Sequence, residues 1–242
     1  MKIIGIIPAR YQSSRFQGKP LADICGKPMI WWVYQQATKV KELQEVYVAT
    51  DNKKIEEVCK KYKMNVIMTS SKHKTGTDRI CEVAQKIKAD LYLNIQGDEP
   101  LIEPETIQKA IEPFCKNPKL QISNLMTKIN DPVDIANFTI PKVLVNNENI
   151  GIYLTRAAAP YPKGKIDFNY YKQVCVYGFK PKALEFFAKT KRGNLEEIED
   201  IEILRFIENG YQVRFVEVVS DTIAVDTPND LKKVIDFIKK KA

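Results

Sequence analysis

Short, continuous runs of hydrophobic residues alternate with segments of helical periodicity in the first half of the chain. Continuous apolar runs of this length are typical of strands that are covered on both faces. The pattern predicts strands at residues 3–7, 46–49, 65–68 and 91–95, and helices near 29–40, up to 62, near 78–88 and near 104–115. Strands and helices that alternate with short connections predict an α/β fold with a mainly parallel sheet flanked by helices.

The pattern changes near residue 120, where the hydrophobic runs are joined by irregular polar connections. Strands are predicted at 122–126, 142–145, 151–155 and 173–179, followed by helices near 182–188 and 199–208, a strand at 212–218 and a helix at 228–240. Because no Gly/Ser-rich linker separates the two parts, we expect a single domain, residues 1–242. Residues 1–119 and 180–242 would form its α/β core, and about 120–179 a smaller β-rich lobe.

The composition is that of an ordinary globular protein. Of the 242 residues 44% are hydrophobic, and no apolar run approaches the ~20 residues of a membrane span. The start, MKIIGIIPAR, has too short an apolar stretch for a signal peptide, so we expect a cytoplasmic protein without membrane contact. Five widely spaced cysteines, no C-x-x-C pair and a single histidine argue against a Cys/His metal site and against a disulfide framework.

The chain is basic, with 38 Lys and Arg against 30 Asp and Glu and a formal net charge of +8. Much of the excess is lysine scattered along helical segments, so solvated helix faces explain most of it. A polyanionic small-molecule ligand fits the same charge. Nucleic acid is the weakest alternative partner, because we find neither a basic stripe with interleaved aromatic residues nor a known nucleic-acid module.

In a parallel α/β sheet, ligands bind beyond the carboxyl ends of the strands. The loops predicted to share that edge are 8–19, 50–52, 69–79 and 96–100. The first loop is neither a G-x-G-x-x-G motif nor a P-loop. It concentrates Arg10, Arg15 and Lys19 with two serines and a glycine, which suits a polyphosphate and equally a solvated basic turn.

Two aspartates have positions suited to metal binding. Asp98 comes directly after the apolar strand 91–95, where a carboxylate can hold Mg²⁺ against substrate phosphates. The alternative is a tight turn before the helix at Pro104, since turns favour Asp. Asp226 precedes the last helix, of which Thr227 is the predicted N-cap, and the cap does not need Asp226. It is therefore the candidate for a second metal carboxylate.

A polar segment joins the third strand to the next helix. Thr75, Gly76 and Thr77 offer hydroxyl and backbone donors at a helix start, which suits an anion or the edge of a nucleobase. In the alternative interpretation Thr77 is only the N-cap and Arg79 is solvated. Because His73 is the only histidine, Ser–His or Cys–His nucleophilic catalysis would depend wholly on it, and we discount that class.

The order of several motifs is far more specific than any one of them. The motifs are, in chain order, PARYQSSRFQGKPL near the N-terminus, GKPMI at 26–30, ATD at 49–51, TGTDR at 75–79, QGDEP at 96–100 and VDTPNDL at 225–231. This set resembles the 3-deoxy-manno-octulosonate cytidylyltransferases, or CMP-Kdo synthetases, across essentially the whole chain. The sialic-acid cytidylyltransferases are more distant, because their first loop usually has a Gly-Gly-Ser pattern.

The resemblance implies a Rossmann-like nucleotidyltransferase that transfers CMP from CTP to the anomeric hydroxyl of a 3-deoxy-ulosonic acid and releases pyrophosphate. It implies Mg²⁺ held by Asp98 and Asp226, with Arg10, Arg15 and Lys19 as further catalytic residues. The residues expected to bind the nucleotide are Ala9, Arg10, Lys19, Thr75, Gly76, Arg79 and Gln96. The residues expected to bind the sugar acid are Arg15, Arg156, Gln173, Tyr177 and Glu202.

The sugar-side segments depart from the family pattern. Gln173 stands where the family has a His that contacts the sugar acid, Cys175 replaces a Gly, and Ile203 replaces a Gln. Such changes in a polyol pocket are expected to alter which acid is accepted, Kdo or a modified Kdo. The resemblance also implies a homodimer formed through the β-rich lobe and a role in lipopolysaccharide or capsule synthesis. A cytidylyltransferase for another acidic sugar, a different nucleotidyltransferase and a non-catalytic nucleotide-binding relative are the alternatives.

Overall fold

The computed structural model describes residues 1–12, 16–164, 167–219 and 223–241. Arg15, predicted as a catalytic and sugar-binding residue, lies outside the described residues. The chain forms two units, one made of residues 1–108 and 220–242 and the other of residues 109–219. The second unit extends beyond the expected lobe of about 120–179 at both ends, and for the segment after residue 180 the reason lies in its strand pairing.

A parallel sheet of four strands, in the order β6–β1–β4–β5, is the centre of the first unit. Its strands are β1 Ile3–Ala9, β4 Glu45–Thr50, β5 Val66–Met68 and β6 Leu91–Ile95, and a short antiparallel ribbon pairs β2 Asp23–Ile24 with β3 Lys27–Pro28. All of β6 and nearly all of β1 are buried, as continuous apolar runs require. The predicted α/β class with a mainly parallel sheet is confirmed, and the loops after these strands share one edge.

Helices follow the strands of the first unit: α1 Met29–Thr38, α2 Lys53–Lys61, α3 Gly76–Lys86 and α4 Pro104–Lys109. In α2, Ile55 and Cys59 form the buried stripe one turn apart. The N-cap of α3 is Thr75, and the alternative that placed Thr77 there is wrong. Thr75 and Asp78 form a reciprocal capping box, which starts the helix earlier and buries Thr77 in its first turn.

The second unit has a mixed sheet. Its strands are β7 Ile122–Lys128, β8 Lys142–Val145, β9 Gly151–Thr155, β10 Tyr171–Phe179 and β11 Val213–Glu217. Strand β7 pairs antiparallel with β10 and parallel with β11, and β8 pairs antiparallel with both β10 and β9. Because β11 pairs with β7, the segment after residue 180 groups with this unit rather than with the α/β core.

In the described part of the second unit the helices are short: α5 Glu112–Lys116, α6 Pro132–Ala136, α7 Pro181–Lys189, α8 Asn194–Glu199 and α9 Leu204–Glu208. The helix predicted near 104–115 is divided into α4 and α5, since Pro113 has no N–H and its ring clashes with the carbonyl four residues earlier. The helix predicted near 199–208 is likewise wrong. Asp200 adopts a left-handed conformation (φ 51°), which ends α8 before α9 begins.

The C-terminal helix α10, Pro228–Lys241, belongs to the first unit. Its predicted cap is present, because Thr227 N donates to Asp230 Oδ2 at 3.0 Å and Asp230 N donates to Thr227 Oγ1 at 3.3 Å. Val225 and Val234 are fully buried in one apolar cluster with Ile24 and Met29. This cluster holds the start of α10 close to the N-terminal loop. Within the described residues, we find no helix with the length and hydrophobicity of a membrane span.

Candidate active site

Three charged side chains converge at the carboxyl edge of the parallel sheet. Lys19 Nζ lies 3.1 Å from Asp98 Oδ2 and 3.4 Å from Asp226 Oδ1. The side chains are partly buried, with exposed fractions of 17% for Lys19, 23% for Asp98 and 37% for Asp226. Two carboxylates from distant parts of the chain therefore face one cation position.

Backbone contacts explain this convergence. Val225 N donates to the carbonyl oxygen of Asp98 at 2.8 Å, which ties the segment before α10 to the loop after β6. Gly97 lets that loop lie close to the end of β1, because a Cβ atom at this position would be 3.2 Å from Ile30 Cδ1 and 3.4 Å from Ile7 Cγ2. The position of both carboxylates is thus fixed by the fold rather than by side-chain rotamers alone.

The basic loop after β1 reaches the carboxylates through a tight turn. Gly18 has a φ of 71°, a conformation that favours glycine, and its N–H donates to Tyr11 O at 2.8 Å. This turn directs Lys19 toward the two aspartates. Ala9 is the buried last residue of β1, and Arg10 follows it with an exposed side chain at the same edge. An exposed cation at this edge is suited to a polyphosphate.

Arg79 is buried inside the loop cluster, with an exposed fraction of 4%. Its guanidinium donates to Asp51 Oδ2 at 2.8 Å, to Thr69 Oγ1 at 2.7 Å and to Ser70 O at 3.3 Å. The alternative of a solvated Arg79 is therefore wrong, because the carboxylate and two further oxygens satisfy it in the interior. Arg79 links the loops after β4 and β5, and its contact with a nucleotide stays a prediction.

The candidate nucleotide residues Thr75, Gly76 and Gln96 are partly buried at the same edge of the first unit. Thr75 N donates to Asp78 Oδ2 at 3.0 Å, and Thr75 Oγ1 accepts from Asp78 N at 3.2 Å. Thr75 thus caps α3, and Gly76 is the first residue of that helix. A helix N-terminus presents backbone N–H groups and a partial positive charge, which suits an anionic ligand.

Glu82 on α3 holds the loop that precedes this helix. This carboxylate accepts from Ser70 N at 2.8 Å, lies 2.6 Å from His73 Nε2, and accepts from Lys86 Nζ at 2.7 Å. Burial alone would raise the pKa of Glu82, but these hydrogen bonds lower it to about 2. His73 is therefore a partner of a structural carboxylate.

The candidate sugar residues, apart from Arg15, lie in the second unit. Arg156 follows β9, and its guanidinium donates to backbone carbonyls: to Glu199 O at 2.6 Å, to Thr139 O at 3.1 Å and to Asp200 O at 3.3 Å. Most of its donors are thus engaged within the unit. In this arrangement Arg156 joins the loop before β8 to the end of α8, and sugar binding by it stays a prediction.

Glu199 is a carboxylate that the sequence did not single out. It accepts from Thr155 Oγ1 at 2.6 Å, from Arg156 N at 2.8 Å and from Tyr153 Oη at 3.1 Å. Burial would raise the pKa of Glu199, but these three hydrogen bonds hold it below its ordinary value. No local motif marks such a residue, since its partners lie on β9 and directly after it, more than 40 residues earlier in the chain.

The remaining sugar candidates have distinct surroundings. Gln173 is half-buried on β10, and Tyr177 on the same strand is 7% exposed and stacks on Phe179 with 5.9 Å between ring centroids. Glu202 is half-buried just before α9. Ile203, which stands where the family has Gln, is 1% exposed and is part of the core. A polar family position has become an apolar one.

A four-stranded parallel sheet carries a basic loop and two carboxylates at its carboxyl edge, an arrangement that suits a metal ion with a phosphate ligand. A family model described as cytidylyltransferase matches residues 4–234. The 3-deoxy-manno-octulosonate cytidylyltransferase of Geobacter sulfurreducens is 41% identical, covering 99% of this chain and 100% of the relative. That of Fusobacterium nucleatum is 42% identical, covering 99% and 98%.

A solved structure agrees with these relatives. The structure of a CMP:2-keto-3-deoxy-manno-octonic acid synthetase complexed with CTP matches with a TM-score of 0.95 and 37% identity over 100% of both chains. The chain belongs to the cytidylyltransferase family and is a nucleotidyltransferase. The predicted resemblance to the CMP-Kdo synthetases is confirmed.

Proposed function

We propose that the protein transfers CMP from CTP to the anomeric hydroxyl of 3-deoxy-manno-octulosonate or a close relative of this acid. The observation that carries the proposal is that the carboxylates of Asp98 and Asp226 both lie within hydrogen-bond distance of the Lys19 ammonium. The names of the relatives support the nucleotide and the sugar acid, since these proteins match this chain over its full length. A non-catalytic relative would not need to keep both carboxylates and the lysine.

The reaction is a direct displacement at phosphorus. The anomeric oxygen forms a bond to the α-phosphorus of CTP while the bond from that phosphorus to the bridging oxygen breaks. Pyrophosphate leaves with the electron pair of the broken bond, and the proton of the hydroxyl passes to solvent water. No covalent enzyme intermediate is needed, so the protein contributes positioning and charge neutralisation. In this scheme Arg10 and Lys19 bind the triphosphate, and Thr75, Gly76 and Gln96 bind the nucleoside.

The donor set of the site fits Mg²⁺. Carboxylate oxygens are its preferred protein ligands, and Mg²⁺ usually takes one or two of them together with substrate phosphates and water. Asp98 and Asp226 supply such a pair, and no group of three or more His, Cys, Asp or Glu within the described ranges offers a fuller protein shell. Bound Mg²⁺ would neutralise triphosphate charge and lower the pKa of the attacking hydroxyl. Lys19 would keep an ammonium beside the same phosphates.

The acceptor side is assigned to the second unit. Gln173, Tyr177 and Glu202 are proposed to bind the sugar acid, by their match to the family motifs. Gln173 replaces the family's His that contacts the sugar acid. Ile203, which is apolar and buried, replaces a Gln able to hydrogen bond to hydroxyls. The acceptor is therefore either Kdo itself or a 3-deoxy-ulosonic acid whose pattern of hydroxyl groups matches the altered pocket.

Pyrophosphate release tests the proposed reaction. The purified protein is incubated with Mg²⁺, one nucleoside triphosphate and one acid from a panel of 3-deoxy-ulosonic acids that includes Kdo. We expect turnover with CTP and at least one of these acids, and little turnover when UTP, GTP or ATP replaces CTP. Equal turnover with UTP, or none with any acid, would contradict the proposal.

We also propose a cytoplasmic homodimer that supplies an activated sugar acid for lipopolysaccharide or capsule assembly. The support is the family resemblance, in which the β-rich part of the chain forms the dimer. Light scattering behind a size-exclusion column tests the assembly state. A mass near twice the 27.8 kDa of one chain is expected, and a single-chain mass at micromolar concentration would contradict it.

A further inference from the structure

A buried amide lies beside an irregularity in strand β10. The pairing of β10 with β7 shifts register between Val174 and Tyr177, which leaves the residues between them outside the ladder. Asn124 on β7 is 0% exposed, and its Nδ2 donates to Val174 O at 3.0 Å and to Val176 O at 2.8 Å. The side chain thus replaces ladder hydrogen bonds that the bulge removes.

These bonds fix the orientation of a second amide. Carbonyl oxygens only accept hydrogen bonds, so the nitrogen of Asn124 must face the bulge and its oxygen must face away. Asn124 Oδ1 accepts from Gln173 Nε2 at 2.7 Å. Gln173 must therefore present its nitrogen to Asn124, and its carbonyl oxygen occupies the other arm of the amide. Gln173 is half-buried, so its side chain is only partly enclosed by the protein.

We propose that Asn124 is a positioning residue that sets acceptor specificity through Gln173. It orients Gln173 so that Oε1 can accept a hydrogen bond from the sugar acid. The sugar acid must then present a hydrogen-bond donor, such as a hydroxyl group, to this oxygen. This inference rests on the proposed function, because the assignment of Gln173 to the sugar site comes from the family motif.

A double-mutant cycle in the Michaelis constants tests the inference. The variants are Gln173→Met, Asn124→Ala and the double variant, each assayed with CTP and Kdo. Each single substitution should raise the KM for Kdo by roughly tenfold, because that is the typical effect of losing one hydrogen bond to the substrate. The KM for CTP should stay unchanged. The double variant should show no more than the larger single effect, because Asn124 acts through Gln173.

Ser123→Ala is the matched control. Ser123 is the neighbouring residue on β7, is also 0% exposed, and donates its own buried hydrogen bond to Ala110 O at 2.7 Å. Its loss should lower the melting temperature and leave the KM for Kdo unchanged. A rise in that KM similar to the rise in Asn124→Ala would show a general effect of core damage and would overturn the inference.

Monodeoxy analogues of Kdo identify the contact. The native protein should discriminate against one analogue, and Gln173→Met should lose that discrimination. Unchanged KM for Kdo in Gln173→Met, or independent effects that multiply in the double variant, would overturn the inference. Gln173→Met alters no fully buried side chain, so this result is obtained even if Asn124→Ala does not fold. No turnover of the native protein with any acid would instead refute the proposed function.

Discussion

Arg79 offers a sharp test of how the loops at the sheet edge are held. Its guanidinium is nearly enclosed, with the side chain 5% exposed, while the side chain of its partner Asp51 is 20% exposed. Arg79→Met removes the cation and keeps an apolar chain of similar length. The substitution leaves Asp51 without its cation and removes the donor from Thr69 Oγ1 and from Ser70 O.

The expected loss of stability follows from these contacts. Removing one partner of a buried ion pair costs about 3–5 kcal/mol, and the partial exposure of Asp51 places this case near the lower end. A destabilisation of about 3 kcal/mol corresponds to a fall in melting temperature of roughly 6–12 °C for a chain of this size. The KM for CTP should rise as well, because the loops after β4 and β5 lose their link.

Urea unfolding and steady-state kinetics measure the two effects. The matched control is Lys60→Met, which removes the cation of a surface ion pair with Glu56 where the lysine side chain is 66% exposed. Such pairs contribute less than about 1 kcal/mol, so the control should unfold like the native protein. If Arg79→Met keeps native stability and only its KM for CTP rises, Arg79 is a direct nucleotide ligand and its proposed bracing role is refuted.

Three further predictions use other parts of the chain. Arg205→Met should destabilise the protein by about 3–5 kcal/mol in urea unfolding, since Arg205 lies 2.6 Å from the fully buried Glu196; a change below 1 kcal/mol would contradict this. The pKa of Glu82 is lowered to about 2 in the folded protein, from about 4.5 in the unfolded chain. Its ionised carboxylate therefore stabilises the fold fully at pH values above 4.5. The stability deficit of Glu82→Gln should therefore be full at pH 7 and shrink as pH falls from 4.5 toward 2, and a pH-independent deficit would refute the assignment. Burial raises the pKa of Cys59 to about 12, so a thiol reagent should modify the exposed Cys25 rapidly and Cys59 only on unfolding; equal rates in the native protein would contradict the buried position.

Much of the architecture was predictable because a buried strand has a local signal, a short continuous run of apolar residues. Strand β6 and strands β8 and β9 have the predicted bounds, since apolar runs between polar turns leave little freedom of register. The helix errors have local backbone causes that the hydrophobic pattern does not carry, namely Pro113 and the left-handed Asp200. The division between units was missed because it depends on which strand β11 joins, and a single strand does not encode its partner.

In the candidate site, too, residues within local motifs were predictable, and residues whose partners are distant in sequence were not. Lys19, Asp98 and Asp226 were predicted as site residues from motifs, and the fold brings their side chains together. The burial of Arg79 was missed because its partners lie in two other loops. Asn124 was also missed, although a polar residue within the apolar run 122–126 is a signal that a buried side chain has a specific partner.

The central claim is that Asp98 and Asp226 together hold the metal and triphosphate beside Lys19. The most direct measurement is pyrophosphate release at saturating Mg²⁺ by Asp98→Asn and Asp226→Asn, with Asp236→Asn on the exposed face of α10 as control. Each site variant should lose roughly a hundredfold or more in turnover, the scale of losing one electrostatic group at a reacting centre, while the control stays near native. Near-native turnover in either site variant would contradict the claim.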